Sequence, residues 1–417
     1  MHPAPGGLRR WRTYGLMFSR FFQRRGEKMA EINGASLELL RAQREIKTHV
    51  DSGYKIRVSN EYEDREWDAF VAGTPGGHYA QTSLWSQVKA SLGWHALRIV
   101  ISRQDKIVAG AQILIHPLTL AGAIGYVPKG PILAQSPILA RADTRLPGLI
   151  LQELKQVAKR LRVQYLAVEL PINGEALAPH LLQTGFCRDT FAVEPAALVR
   201  LDLLQNSIGR LGLIGQNNFT HLASREPTNF TFREGAEADL PALYQLLQAG
   251  ARSESSTCFE EEYLLEMWRI LHAHQSVKLF LAEHAGEMVA AQFAILLGDT
   301  IVGKFIAWSE KQGTDYAQAL LYGAVSKWAK GAGFRYYIVE QGTPMVELNL
   351  HHKGLSAPPL NSMDTLHKLN LEGEVKHYPG VYTYMYNPFL KWTYRAVLPK
   401  LIHSSPLATI FHRLTLH

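Results

Sequence analysis

Two carboxylates, Glu169 and Glu340, stand near the ends of two short apolar strands far apart in the chain, Val163–Leu170 and Phe334–Glu340. Paired carboxylates facing one substrate move protons by general acid–base catalysis. Matching positions also arise from duplication alone, and both readings stay open. The other candidates are cations. Lys129 lies in Tyr126-Val127-Pro128-Lys129-Gly130-Pro131, where it is either a ligand for an anion or ordinary turn chemistry. Lys89 follows Trp85 on a short helical stretch and reads either as a solvated surface lysine or as a binding residue. Arg252 has Glu260, Glu261 and Glu262 close by in sequence for an ion pair. His351-His352 and His272-x-His274 lack further ligands at metal spacing, so no metal site is expected. No nucleophile elbow, phosphate loop or dinucleotide glycine motif occurs.

These residues need elements to hold them, and the elements come twice. Leu97–Ser102, a polar turn Arg103-Gln104-Asp105-Lys106, and Ile107–Leu114 form one hairpin. Lys278–Glu283, a turn His284-Ala285-Gly286-Glu287, and Met288–Ile295 form another. Each hairpin is followed by an amphipathic helix, Leu149–Arg162 and Ala317–Lys330, and then by the strand carrying the late glutamate. A repeat of this length implies two domains of one fold with a cleft between them. Hairpin, helix and parallel strand is the order of an acetyltransferase-type (GNAT) acyltransferase. The expected class is therefore α/β of the α+β type, two tandem acyl-CoA N-acyltransferase-like domains. The boundaries read as 1–53 for a basic, aromatic leader and helix, 54–205 for the first domain, 206–375 for the second, and 376–417 for a C-terminal strand and basic helix able to complete the first. Leu198–Leu203 is expected to close the first domain, and Asn60 to cap the helix over Glu61–Ala72.

At 417 residues the chain can fill two ordinary cores, and 47% hydrophobic against 19% charged residues is a globular composition. Two cysteines, Cys187 and Cys258, cannot form a disulfide framework and fit a reducing compartment. No apolar run reaches the roughly 18 residues of a membrane span. The net charge of +7 resembles a nucleic-acid signature until it is located. Arg9, Arg10, Arg12, Arg20, Arg24, Arg25 and Lys28, against Glu27 alone, place nearly all of it in the leader. The rest is close to neutral, so global charge is no argument for nucleic acid. The leader's arginines alternate with Trp11, Tyr14, Phe18, Phe21 and Phe22, which suits an anionic membrane surface, a loosely ordered leader, or sequence upstream of a true start at Met29.

Five segments resemble, in order, motifs of the Fem family of peptidoglycan aminoacyltransferases. Gln81-Thr82-Ser83-Leu84-Trp85-Ser86-Gln87-Val88-Lys89 is similar to its Q-S-x-x-W-x-x-V-K segment, and Tyr126 to Pro131 to its Y-x-x-(K/R)-G-P turn. Ala249-Gly250-Ala251-Arg252 resembles the opening of the family's second domain. Ala319–Val325 with Lys330–Gly333 resembles a helix ending in A-K-x-x-G, and Leu366–Gly373 stands where the family has L-x-x-F-K-x-x-F-G. The resemblance implies transfer of an amino acid from aminoacyl-tRNA, the co-substrate, to the stem-peptide amine of a lipid-linked or nucleotide-linked muramyl pentapeptide. It implies no other cofactor and a cytoplasmic protein with contact to the inner membrane face through its basic termini. By the same resemblance Lys368 is the catalytic cation or a contact to the tRNA end, with Trp85, Lys89, Tyr126, Lys129, Gly130 and Arg252 on the precursor; Glu340 is an acid–base candidate from its strand position alone. The chain departs from the family pattern at Gln216–Ser224, which lacks the usual cations, at Ile338, where an aspartate is usual, and at His367. Two other readings stand beside this one: an acyl-CoA-dependent N-acyltransferase, against which Glu310–Asp315 keeps only one glycine of a pyrophosphate loop, and a non-catalytic homologue.

Overall fold

A computed structural model of the chain describes residues 49–51, 53–118, 122–134, 145–189, 197–204, 230–253, 260–309, 317–340 and 374–392. They form two compact units, the first holding the described residues up to Asp189 and again from Tyr378, the second those from Ala197 to His377. No helix among the described residues is long and apolar enough to cross a membrane.

The first unit begins with strands β1 (His49–Asp51) and β2 (Tyr54–Ser59), helices α1 (Arg65–Gly73) and α2 (Ser83–Ala90), and the long hairpin β3 (His95–Arg103) and β4 (Lys106–Leu118). It continues through β5 (Gly122–Val127), β6 (Ile132–Leu133), α3 (Leu146–Arg160), β7 (Val163–Glu169), α4 (Ala178–Gln183) and β8 (Cys187–Arg188). The second unit holds β9 (Ala197–Asp202), β10 (Phe230–Glu234), α5 (Leu240–Ser253), α6 (Glu261–Ala273), β11 (Val277–His284), β12 (Glu287–Leu297), β13 (Thr300–Trp308), α7 (Ala317–Gly331), β14 (Tyr336–Glu340) and β15 (Glu374–His377). The chain then returns to the first unit with β16 (Val381–Met385) and a short helix α8 (Pro388–Trp392).

The repeat expected from sequence is present in detail. Both hairpins carry a bulge at the same place above the turn. Ile101 faces Ala109 and Ser102 faces Ile107; Ala282 faces Ala290 and Glu283 faces Met288. One extra residue in each return strand turns the hairpin onto its core. In each unit one helix covers the sheet with its apolar stripe. Ile150, Leu151, Leu154, Val157 and Ala158 of α3 are buried in the first core, and Leu321, Val325 and Ala329 of α7 in the second. Parallel pairs then join β5 to β7 and β13 to β14.

Two expectations are corrected. Asn60 does not cap α1. Asp64 does, accepting from the Trp67 amide at 3.2 Å, because the helix begins only at Arg65 and Asp64 is the last residue outside it. Nor does the strand after the first unit close it. β9 lies in the second sheet between β14 and β15, with Leu201 opposite Tyr337. The equivalent place beside β7 is taken by β16, with Tyr382 opposite Val168. Each sheet is thus completed by the strand that follows the other unit in sequence. The alternating tyrosines stop being one strand at this crossing: His377 ends β15 in the second sheet, whereas Tyr382 packs in the first core. The leader and the basic stretch beyond Trp392 lie outside the described residues.

Candidate functional site

The turn Pro128–Gly130 sits where β5 stops, and its position follows from a missing donor. Leu114 pairs with Tyr126, which brings Gln112 level with Pro128. Proline has no N–H to continue the ladder. The Gln81 side chain fills the gap like an inserted peptide group. Its Oε1 accepts from the Gln112 amide at 2.7 Å, and its Nε2 donates to the Gln112 carbonyl at 3.3 Å and the Pro128 carbonyl at 2.6 Å. Gln81 is fully buried, so every one of these bonds satisfies a group that water cannot reach. The glycine at 130 is required by the same contact: a Cβ there would lie 2.9 Å from the Gln81 carboxamide carbon. The first and second motifs are therefore in physical contact, which their separation in sequence conceals.

The segment bearing Trp85 and Lys89 is fixed from both ends. Trp67 of α1 donates its indole N–H to the Gln81 carbonyl at 2.6 Å, and Asp68 accepts from the Ser83 amide at 2.7 Å. Gln112 donates to the carbonyls of Ala80 and Thr82 at 3.1 and 2.9 Å, while its own Oε1 accepts from buried Arg98 at 3.0 Å. Thr82 then caps α2 by accepting from the Trp85 amide at 3.2 Å. Lys89, in the last turn of α2, is only 2% exposed, with its ammonium 5.2 Å from the Trp85 ring centre. The reading of Lys89 as a solvated surface lysine is thereby excluded.

On the other side of the turn stands Glu169, the last residue of β7. Its carbonyl accepts from the Gly130 amide at 2.8 Å. Its carboxylate accepts from the Tyr126 hydroxyl at 2.5 Å on Oε2 and from the Lys129 ammonium on Oε1. Lys129 is 9% exposed, has φ 48° in the left-handed region, and holds its ammonium 3.3 Å from the centre of the Tyr378 ring. Tyr126, Lys129 and Gly130 are thus brought together as expected, with Gln81 and Tyr378 as members that sequence reasoning missed. Proline at 128 was the available signal for Gln81. Tyr378 read only as one aromatic of a strand.

Arg252 lies on α5 and Glu340 ends β14, both in the second unit, and Lys368 lies outside the described residues. Glu169 is engaged by a phenol and an ammonium, which tie it to both neighbours. Among the described residues no cluster of histidine, cysteine and carboxylates could hold a metal.

The two sheets differ at the corresponding point. In the first, pairing of β5 with β7 runs to Val127 and Val168, and the Gly130–Glu169 bond sews up the end. In the second, β13 and β14 pair from Thr300–Tyr336 to Gly303–Val339, where their pairing ends; Glu340, the last described residue of β14, pairs with Leu198 of β9. Lys304–Trp308 continue against β12 alone among the described strands. Gly303 at the end of that pairing carries the Gln292 carboxamide, whose Oε1 accepts from Tyr337 at 2.6 Å; a Cβ on Gly303 would lie 2.4 Å from Gln292 Nε2. Burial holds the Tyr337 phenol well above its ordinary pKa, so it stays a donor.

Residues 62–175 match the FemAB family, and residues 217–339 match the acetyltransferase (GNAT) domain. The first unit is thus similar in sequence to the FemAB family and the second to the acetyltransferase domain. It is 20% identical over 276 residues to a lipid II:glycine glycyltransferase of Staphylococcus aureus, covering 64% of this chain and 63% of that protein. To the Staphylococcus saprophyticus protein of the same description it is 22% identical over 232 residues, covering 53% and 54%. The chain therefore spans less than two thirds of the length of these relatives. The crystal structure of FemX superposes with a TM-score of 0.63 at 14% identity, covering 84% of this chain and 100% of that one. At that identity the likeness establishes the Fem-type fold of two acetyltransferase-like domains.

Proposed function

We propose that the protein is an aminoacyltransferase of peptidoglycan bridge formation, moving an amino acid from aminoacyl-tRNA to the stem-peptide amine of a lipid-linked muramyl pentapeptide at the inner face of the membrane. The observation that carries this reading is the asymmetry of the two sheets. An acyl donor of this fold class enters between the central strands where their pairing ends, and among the described residues only the first unit has a backbone bond, Gly130 to Glu169, beyond the last paired rung. The first unit has its corresponding gap sewn shut and instead gathers Lys129, Tyr126 and Lys89 in largely buried positions suited to a fixed, multiply bonded acceptor. Relatives described as lipid II:glycine glycyltransferases support a lipid-linked precursor as that acceptor.

The chemistry asks little of the protein. An aminoacyl ester already carries a usable leaving group, so orientation of the amine and stabilisation of the developing oxyanion account for most of the acceleration. Lys368 is the cation that the Fem resemblance assigns to that charge. A second reading has one observation in its favour: the match of residues 217–339 to an acetyltransferase domain makes acyl-CoA an alternative donor.

The donors are separated by mass. The full chain is incubated with lipid-linked muramyl pentapeptide and either charged tRNA or acetyl-CoA, and the peptide is weighed. An aminoacyl increment that disappears in Lys368→Ala is expected. An acetyl increment instead, or no product from either donor, overturns the proposal.

A further inference from the structure

We infer that Glu169 is a positioning residue of the acceptor site, acting through Lys129, and that Tyr378 completes its hold; this rests on the transferase reading above. Each part of Glu169 is bonded to the turn. Its carbonyl takes the Gly130 amide at 2.8 Å, one carboxylate oxygen takes the Tyr126 hydroxyl at 2.5 Å, and the other takes the Lys129 ammonium. One residue therefore fixes the backbone of the turn, its cation and its phenol together.

Lysine is otherwise ill suited to this place. Its left-handed backbone, φ 48°, is disfavoured for a residue with a Cβ and persists where surrounding bonds determine it. Those bonds are present on both sides, from Gln81 to the Pro128 carbonyl and from Gly130 to Glu169. The lysine stem has four rotatable bonds and its ammonium is a compact, strongly hydrated charge. At 9% exposure it has lost most of that water. The Glu169 carboxylate and the Tyr378 ring face, 3.3 Å from Nζ and itself 3% exposed, replace it. An ammonium has three donors, and Glu169 uses one. The arrangement thus presents an aimed hydrogen-bond donor of low net charge, not a bare cation.

Positioning and plain electrostatics give opposite signs. The precursor is anionic, so removing a carboxylate from beside a lysine should tighten its binding if charge alone mattered. If Glu169 aims the lysine, removal weakens it. Calorimetric titration of lipid-linked muramyl pentapeptide in detergent into the full chain reads this directly. Glu169→Gln is expected to weaken binding about tenfold, and Tyr378→Leu, which leaves every bond of Glu169 intact, about threefold. In a Lys129→Met background Glu169→Gln is expected to change affinity less than about twofold, a coupling that a merely structural role would not produce. Unchanged or tighter binding in Glu169→Gln, or an equal loss in both backgrounds, overturns the assignment. Should Glu169→Gln fail to fold, wild-type affinity in Tyr378→Leu does the same. Failure of the wild-type chain to bind the precursor overturns the transferase reading itself.

Discussion

At the scale of single residues, the bonds of Gln81 make the strongest stability claim. Replacing it by leucine leaves the Gln112 amide and the Pro128 carbonyl without these partners in a fully buried place. Each such group costs about 1–3 kcal/mol, so Gln81→Leu is expected to lower the urea midpoint of the first unit well beyond a surface control. Gly130→Ala should do so as well, by about 1–3 kcal/mol, because the Gln81 side chain that it strikes is pinned and cannot swing aside. A second residue gives a pH signature. Burial holds the His116 imidazole below its ordinary pKa, with His95 adding repulsion. The unfolded chain then binds a proton that the folded one resists, so this stability is present above about pH 6.5 and is lost as pH falls toward the lowered value. Denaturation measured from pH 7.5 to 5 should show that loss, and His116→Gln should flatten it. Much of the site was legible at this scale: Tyr126, Lys129 and Gly130 cluster as their motif suggested. Gln81's partners were not, because a side chain standing in for a backbone group leaves no periodic trace.

At the scale of elements, the hairpins, their covering helices and the parallel strands were readable because apolar periodicity reports which face is buried. Strand exchange was half readable: a C-terminal strand able to complete the first unit was expected, as β16 does, but β9 was expected in the wrong sheet. β9 and β16 have similar apolar patterns, Leu198 to Leu203 and Tyr382 to Met385, and pattern alone cannot say which sheet a strand joins. The exchange has a consequence. A chain ending at His377 would keep all seven strands of the second sheet but lose β16 from the first, uncovering one edge of β7 from Tyr165 to Glu169 and removing Tyr382 from the core. The truncated protein is expected to keep one cooperative melting transition while binding a dye for exposed apolar surface. Two intact transitions would contradict the assignment of β16. The docking of α1 is a second element-level dependence. Trp67 lies so close over Gly110 that a Cβ there would come within 2.4 Å of its ring, and Ile99's carbonyl lies 2.6 Å away. Gly110→Ala should therefore loosen α1 and, through the Trp67–Gln81 bond, the turn that carries Lys129.

At the scale of the whole molecule, duplication supplied one plan, and the proposed function gives its two copies different tasks. The sewn end of the first sheet and the end of the β13–β14 pairing in the second are the same place in the fold, differing by one turn that bonds to Glu169 in the first. Under the proposed function the first unit holds the acceptor and the second takes the donor. Two-substrate kinetics of Lys129→Ala test it most directly, with lipid-linked muramyl pentapeptide and charged tRNA varied in turn. The claim predicts a rise of about tenfold in KM for the muramyl peptide with KM for the charged tRNA unchanged within about twofold. A rise confined to the charged tRNA, or no change in either, would contradict it.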